Sequence, residues 1–255
     1  MASLLAYDNK VVRSGGLDWI VGVDEVGRGA LAGPVVAAAV AIPCRLLPKL
    51  RHRSWSKLVN DSKRLNAVRR EAIESACARA LVDRELFRGI GRAESTEIDA
   101  VNILQATREA MIRAIRDLAS QAIPDGLVLP PAGHVPGKTQ SMLWDWMDGP
   151  AANSRLLIDG RPFRSFPYAH EGVVGGDGKS FCIALASILA KVHRDRLMAA
   201  FPSAQVFGWE SNKGYGTESH RSLIRVHGLD PQHRLSFVAE DRWQSDPDDR
   251  QIECF

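Results

Sequence analysis

The sequence predicts an α/β or mixed α+β layer fold. Two observations carry this. Two apolar runs lie back to back across a glycine-rich turn near the start, and helix-period segments then alternate with short apolar ones. Residues 19–24 and 35–42 are the paired strands, the second following Gly33-Pro34. Asn66 stands where a cap belongs for a helix running to about Leu81, with Ile73, Ala76, Cys77, Ala80 and Leu81 on one face. Residues 86–91 read as a third strand. Ser95 and Thr96 precede an amphipathic helix in which Val101, Leu104, Met111, Ile115 and Leu118 recur at helical steps. Residues 125–153 break the pattern: Pro130, Pro131, Pro136 and several glycines surround Trp144 and Trp146, as in a long connection. Residues 156–160 form a short apolar strand that reaches Asp159. After Gly175-Gly176-Asp177-Gly178 a helix is expected from Phe181 to about Ala199.

A chain of 255 residues can bury a substantial core in one large domain. Apolar residues make up 45% and charged residues 25%, an ordinary balance for a globular protein. No aliphatic run approaches the ~20 residues of a membrane helix, and no basic region followed by a long apolar core opens the chain. A cytoplasmic protein without a membrane span is therefore expected. Cys44, Cys77, Cys182 and Cys254 are scattered, which favours reduced thiols over a disulfide framework or zinc site. The net charge of +3 is small, but residues 45–70 are strongly basic, with Asp61 their one acid, and residues 240–253 are acidic. The first suits a polyanionic partner or a solvated surface; the second is a solvated end. The resulting division is an N-terminal extension (1–17), a core (18–200) carrying the 125–153 insertion, a C-terminal region (201–240) and an acidic tail (241–255).

Asp24 and Glu25 end an apolar run and are followed at once by Gly27-Arg28-Gly29. Adjacent carboxylates repel unless a hard cation shares them, so the pair points to a divalent metal. A regular strand would send them to opposite faces, so the strand must twist or end there. An arginine among exposed backbone N–H groups beside a metal suits a phosphate-bearing substrate. Asp159 and Asp177 stand at two further element junctions. Alone, each is a turn former or helix cap. Gathered with the first pair on one rim, they would supply a charge of about −4, matching two Mg²⁺ ions. Gly178-Lys179-Ser180 precedes a helix, but position 173 is valine where a phosphate-binding loop needs glycine, which counts against a nucleotide triphosphate site. Three segments leave two readings each. Tyr215, between Gly214 and Gly216, packs on the surface or lays its ring on a sugar or base. Arg234 belongs to a structural turn or reaches a phosphate. Asn60-Asp61-Ser62-Lys63 is an Asx-type turn or a phosphate clamp. Asp195 is read as an ion-pair partner and His193 as solvent-exposed.

Taken in order, the runs at residues 21–40, 60–63, 98–103 with Ala106-Thr107, 157–160, 186–196, 213–217 and 233–237 resemble the ribonuclease HII family closely. The long 125–153 segment stands where that family has a short link. The resemblance implies a ribonuclease H-like mixed sheet flanked by helices, with a helical C-terminal extension. It implies metal-dependent cutting of the RNA strand in RNA–DNA hybrids, and cutting 5′ of ribonucleotides embedded in duplex DNA, with two Mg²⁺ or Mn²⁺ ions. The catalytic acids would be Asp24, Glu25, Asp159 and Asp177. Gly27, Arg28, Gly29 and Tyr215 would sense the ribose 2′-hydroxyl at the junction. Further substrate contacts would come from Asn60, Ser62, Lys63, Ser187, Lys191 and Arg234. The partners implied are hybrid and ribonucleotide-containing duplexes, bound by a monomer.

Overall fold

A computed structural model describes residues 4–13, 16–60, 62, 65–133 and 152–238. Strands β1 (Trp19–Val26), β2 (Val35–Pro43), β3 (Phe87–Ala93), β4 (Ser154–Asp159) and β5 (Glu171–Val173) form one sheet in the order β3-β2-β1-β4-β5. β2 is antiparallel to β1 and to β3, whereas β4 runs parallel to β1 and β5 parallel to β4. The sheet is therefore mixed, with β1 at its centre. The helices are α1 (Leu4–Arg13), α2 (Leu47–Leu50), α3 (Ala67–Val82), α4 (Ser95–Val101), α5 (Ile103–Ala122), α6 (Phe181–Ala200), α7 (Trp209–Asn212) and α8 (Glu218–His227).

Alternation along the central strands fills both faces. Val21, Val23, Ala37 and Ala39 pack with Met111, Ile115 and Leu118 of α5 on one side. Ile20, Ala38, Val40 and Ile42 pack with Ile183, Ile188 and Leu189 of α6 on the other, and α3 covers α6 in turn through Ile73 and Cys77. Sandwiched between sheet and helix, the first half of α6, residues 181–190, is buried on all sides, so its sequence shows no clear stripe. Two close approaches need glycine. A Cβ on Gly22 would lie 2.4 Å from the Cys182 carbonyl carbon, and one on Gly91 would lie 2.1 Å from Ala110 O. A third cluster, built on Met198, Phe207, Trp209 and Ile224, joins the chain after α6 to the end of that helix.

Several expectations change. The single helix anticipated after Ser95 and Thr96 and reaching Leu118 is two helices, because Asn102 takes φ +71° and caps α5, accepting from Leu104 N and Gln105 N. Val101 and Leu104 beside that break are 44% and 51% exposed, not core. β1 does not stop at Asp24 but pairs with β2 through Val26. The N-terminal extension contains α1, whose Asp8 is fully buried and accepts from Cys182 N at 3.0 Å. The inserted segment is anchored at its described ends, where Ser154 Oγ donates to Val128 O, Val128 N to Asn153 Oδ1, and Ala169 N to Pro130 O. Residues 134–151, with Trp144 and Trp146, and the acidic tail lie outside the described residues, as do Asp61 and Lys63.

Candidate active site

The parallel pairing of β1 with β4 brings Asp24 and Asp159 to the same end of the sheet. Asp177 lies in the short turn Gly176–Gly178 that leads into α6. Asp159 Oδ1 accepts from Gly176 N at 2.5 Å, which fastens that turn to the end of β4. A Cβ on Gly176 would lie 3.1 Å from the same oxygen and 2.6 Å from Ile183 Cδ1, so only glycine fits there without a shift. Asp24 and Asp177 are buried, and Glu25 and Asp159 half-buried.

These acids share a field. Burial holds the Asp24 carboxyl well above the usual range, Glu25 and Asp159 push it further, and a hydrogen bond with Ser187 opposes them. Glu25 is also raised, first by burial, with Arg28 opposing and Asp159 adding. Arg28 Nη1 stands 3.1 Å from Glu25 Oε1, while Oε2 is buried without a hydrogen-bond partner. Among the described residues, no three His, Cys, Asp or Glu side chains form a cluster that holds a metal by themselves. The donor set still suits a hard cation: the donors are carboxylates, an orphan oxygen faces no proton donor, and the mutual repulsion is of the kind a cation relieves. Mg²⁺ is commonly bound through one or two carboxylates, with substrate phosphate and water completing the shell.

The loop after β1 turns at Gly27 (φ +91°), where a Cβ would sit 2.2 Å from Arg194 Nε. Arg28 and Gly29 are exposed. Ser62 Oγ lies 2.8 Å from Ser187 Oγ, and Arg70 Nη1 donates to the Ser62 and Leu65 carbonyls, so Ser62 is held against α6 near Asp24. Asn60 is half-buried at the start of the same segment. Lys191 Nζ pairs with Asp195 at 2.8 Å and lies 5.7 Å from the centre of the Tyr215 ring. Asp195 also faces Arg70 at 3.7 Å, in keeping with its reading as an ion-pair partner. Tyr215 is half-buried and bridges by its backbone to Ala30, which places it beside the Gly27–Gly29 loop.

Two residues sit differently from expectation, and a third, Lys179, agrees with the reading against a nucleotide triphosphate site. Arg234 is fully buried, and its guanidinium donates to the carbonyls of Gly27, Arg28 and Gly33 at 2.7–3.0 Å. It shapes the loop from beneath and does not reach out to a phosphate. His193 is half-buried between charged neighbours, not open to solvent. Lys179 turns back to its own loop, donating to Val174 O, which removes the remaining likeness to a phosphate-binding loop. Sequence reasoning also passed over Arg194 and the pair His220 and His233, all fully or almost fully buried. The signal for Arg194 was its place on the stripe Ala190, Arg194, Met198, whose other members are core residues.

A mixed sheet of this order, with Asp24 and Asp159 at one end beside a glycine-arginine loop, has the architecture of the ribonuclease H-like class. Solved structures share the fold. The ribonuclease H2 from Pyrococcus horikoshii OT3 aligns at TM-score 0.56 and 20% identity, over 89% of this chain and 100% of that one. A mutant protein of Bst-RNase HIII aligns at 0.60 and 18%, over 95% and 73%. Bst-RNase HIII in complex with Mn²⁺ aligns at 0.58 and 17%, over 89% and 69%. The sequence itself matches the family Ribonuclease HII over residues 21–128 and 155–240. Ribonuclease HII of Sphingopyxis alaskensis is 43% identical over 86% of this chain and 88% of its own length, and that of Syntrophobacter fumaroxidans 42% over 92% and 82%. The chain belongs to the ribonuclease HII family and is a ribonuclease H, an endonuclease that degrades the RNA of RNA–DNA hybrids.

Proposed function

We propose that this ribonuclease cuts 5′ of ribonucleotides embedded in duplex DNA as well as within hybrids, leaving a 5′-phosphate, with Asp24, Glu25, Asp159 and Asp177 as the catalytic acids. The observation that supports it best is the shared field at the end of β1 and β4, where Glu25 and Asp159 both raise the Asp24 carboxyl. Such a cluster suits two divalent cations, Mg²⁺ or Mn²⁺, and the solved Mn²⁺ complex of Bst-RNase HIII supports that choice. Bound there, the ions would polarise the scissile phosphate and lower the pKa of water. The chain's own part is positional. Asp24, buried against Ser187, and Asp159, fixed by Gly176 N, present oxygens that need little reorganisation on binding.

Arg28, freed from Glu25 when a cation takes that carboxylate, would turn its fork to the substrate phosphate. Gly27 and Gly29 let a sugar come close to the backbone, and Tyr215 faces it from the opposite loop. Ser62, Ser187, Asn60, Lys63 and Lys191 would line the strand's path. The protein would act as a monomer in the cytoplasm; none of its described helices is long and apolar enough to cross a membrane. The deciding experiment uses a DNA duplex with one ribonucleotide, with and without Mg²⁺ or Mn²⁺. Metal-dependent nicking on the 5′ side of that ribonucleotide is expected. Cutting confined to continuous hybrids, or independent of metal, would overturn the reading.

A further inference from the structure

Arg194 lies under the site with no carboxylate paired to it among the described residues, and its three hydrogen-bonding nitrogens reach three different stretches of backbone. Nε donates to Pro34 O at 2.9 Å, Nη2 to Ala32 O at 3.0 Å and Nη1 to Lys213 O at 2.8 Å. The first two lie on the segment that follows the Gly27–Gly29 loop. The third lies two residues before Tyr215. One planar group therefore spans the seam between the two loops, and its carbon sits 5.5 Å from the centre of the Tyr215 ring. The rest of the seam is backbone: Leu31 N and Ala32 N both donate to Gly214 O, at 2.8 and 3.2 Å. There is no slack. A Cβ on Gly27 would meet Arg194 Nε at 2.2 Å, and a Cβ on Gly214 would meet Ala32 O at 2.6 Å.

A guanidinium with no ion-pair partner is costly to bury, and an apolar side chain of its size would fill the same space at less cost. What an apolar chain cannot do is fix three carbonyls of two loops in one plane. We propose that Arg194 is a specificity-determining positioning residue, which holds Tyr215 in register with the Gly27–Gly29 loop so that both meet one ribose-to-deoxyribose step. The proposal rests on the reading of those loops as the 2′-hydroxyl sensor. It differs from Arg234, which ties together only the Gly27–Gly33 side.

The consequence is a change in preference, not only in rate. With the seam loosened, Tyr215 no longer marks the junction, so cutting at a lone ribonucleotide should fall toward the rate on a continuous hybrid. Arg194→Lys keeps the charge and loses the fork. Its ratio of kcat/KM on a single-ribonucleotide duplex to that on a continuous hybrid should drop about tenfold, with rescue absent at high metal. Tyr215→Ala should lower the same ratio, and the double variant should go no lower than Tyr215→Ala alone. Should Arg194→Lys fail to melt cooperatively, Gly214→Ala opens the same seam by steric push and should lower the ratio likewise. If Tyr215→Ala shifts the ratio but neither seam variant does, the role of Arg194 is structural and the proposal fails. If Tyr215→Ala leaves the ratio unchanged, the sensor reading itself is at fault.

Discussion

Single side chains carry the most direct tests. Asp24→Asn and Asp177→Asn preserve shape and remove a ligand charge, so cutting in Mg²⁺ should fall by about 10²–10³-fold or more while the thermal melt survives. Near wild-type cutting by either variant would return that acid to the role of turn former. Tyr215→Ala should lose about 5- to 100-fold on a single-ribonucleotide duplex, and Tyr215→Phe much less, if the ring and not the hydroxyl meets the sugar. The buried histidines give a pH test. Asp230 N donates to His233 Nδ1 at 2.8 Å, so His233 presents its Nε2–H to His220 Nε2 at 3.2 Å, which also accepts from Trp209 Nε1; His220 Nδ1 then donates to Tyr215 O. The bonds accepted by His233 Nδ1 and by His220 Nε2 need neutral rings, since a protonated nitrogen has no lone pair to accept with. Burial pushes His233 down to about 4 and lowers His220 as well. A pKa lower in the folded than in the unfolded protein means that the unfolded chain binds more protons between the two values. Stability is therefore whole above about pH 6.5 and is lost as pH falls toward 4. The His233 share is about 2–3 kcal/mol, or roughly 5–10 °C in melting temperature, and a His233→Gln variant should show a flatter profile between about pH 6.5 and 4.5. An identical slope in that variant would place the acid sensitivity elsewhere. At this scale Asp24 and Glu25 stood out in the sequence because adjacent carboxylates near a strand end are chemically conspicuous; that Asp159 lies at the same end of the sheet depends on the pairing of β1 with β4. Arg234 was legible only as a charge: that its fork points inward to Gly27 O and Gly33 O depends on a loop some two hundred residues away in the chain.

Among elements, α6 decides how the site is assembled. Its first turn lies on β1 at Gly22, follows directly on Asp177, and is capped from outside by Asp8 as well as from within by Ser180, whose hydroxyl accepts from Ile183 N. Gly22→Ala places a methyl against main chain that cannot yield, so a loss of about 2 kcal/mol or more is expected in urea unfolding, with metal-dependent cutting reduced because α6 moves relative to Asp24. An unchanged midpoint would show that the helix has room to retreat. The strands β1, β2 and β4 and the helices α3 and α6 were readable because their apolar runs are long relative to their interruptions. The break at Asn102 was not, since Ile98 and Val101 continue the spacing of α5 and only a left-handed backbone with a side-chain cap separates the two helices. β5 is three residues of an edge, too short for any alternation to show. α1 was missed because its one fully buried residue is acidic, Asp8, while Leu4, Leu5, Tyr7, Val11 and Val12 pack only partly buried against the core.

For the whole molecule, the insertion is the test of what the catalytic fold needs. Replacing residues 128–150 would remove Val128, Pro130 and Pro131, which bond to Ser154 and pair with Tyr168 and Ala169. The replacement is better drawn at residues 134–151, and a short Gly/Ser link there should leave metal-dependent cutting at a lone ribonucleotide largely intact. Loss of cutting in a variant that still melts cooperatively would make this segment part of the substrate surface. The family match also omits residues 129–154, which fits an addition to a complete core. By itself the sequence determined the sheet-and-helix class and the family and singled out the four acids proposed for catalysis, because local apolar periodicity and short chemical motifs are properties of neighbouring residues. Only the tertiary structure decided which buried charges serve as scaffold. The assignment of Arg194, Arg234, Asp8 and the histidine pair depends on backbone carbonyls and amides brought to them from distant parts of the chain, and no spacing within a sequence encodes where those groups will point.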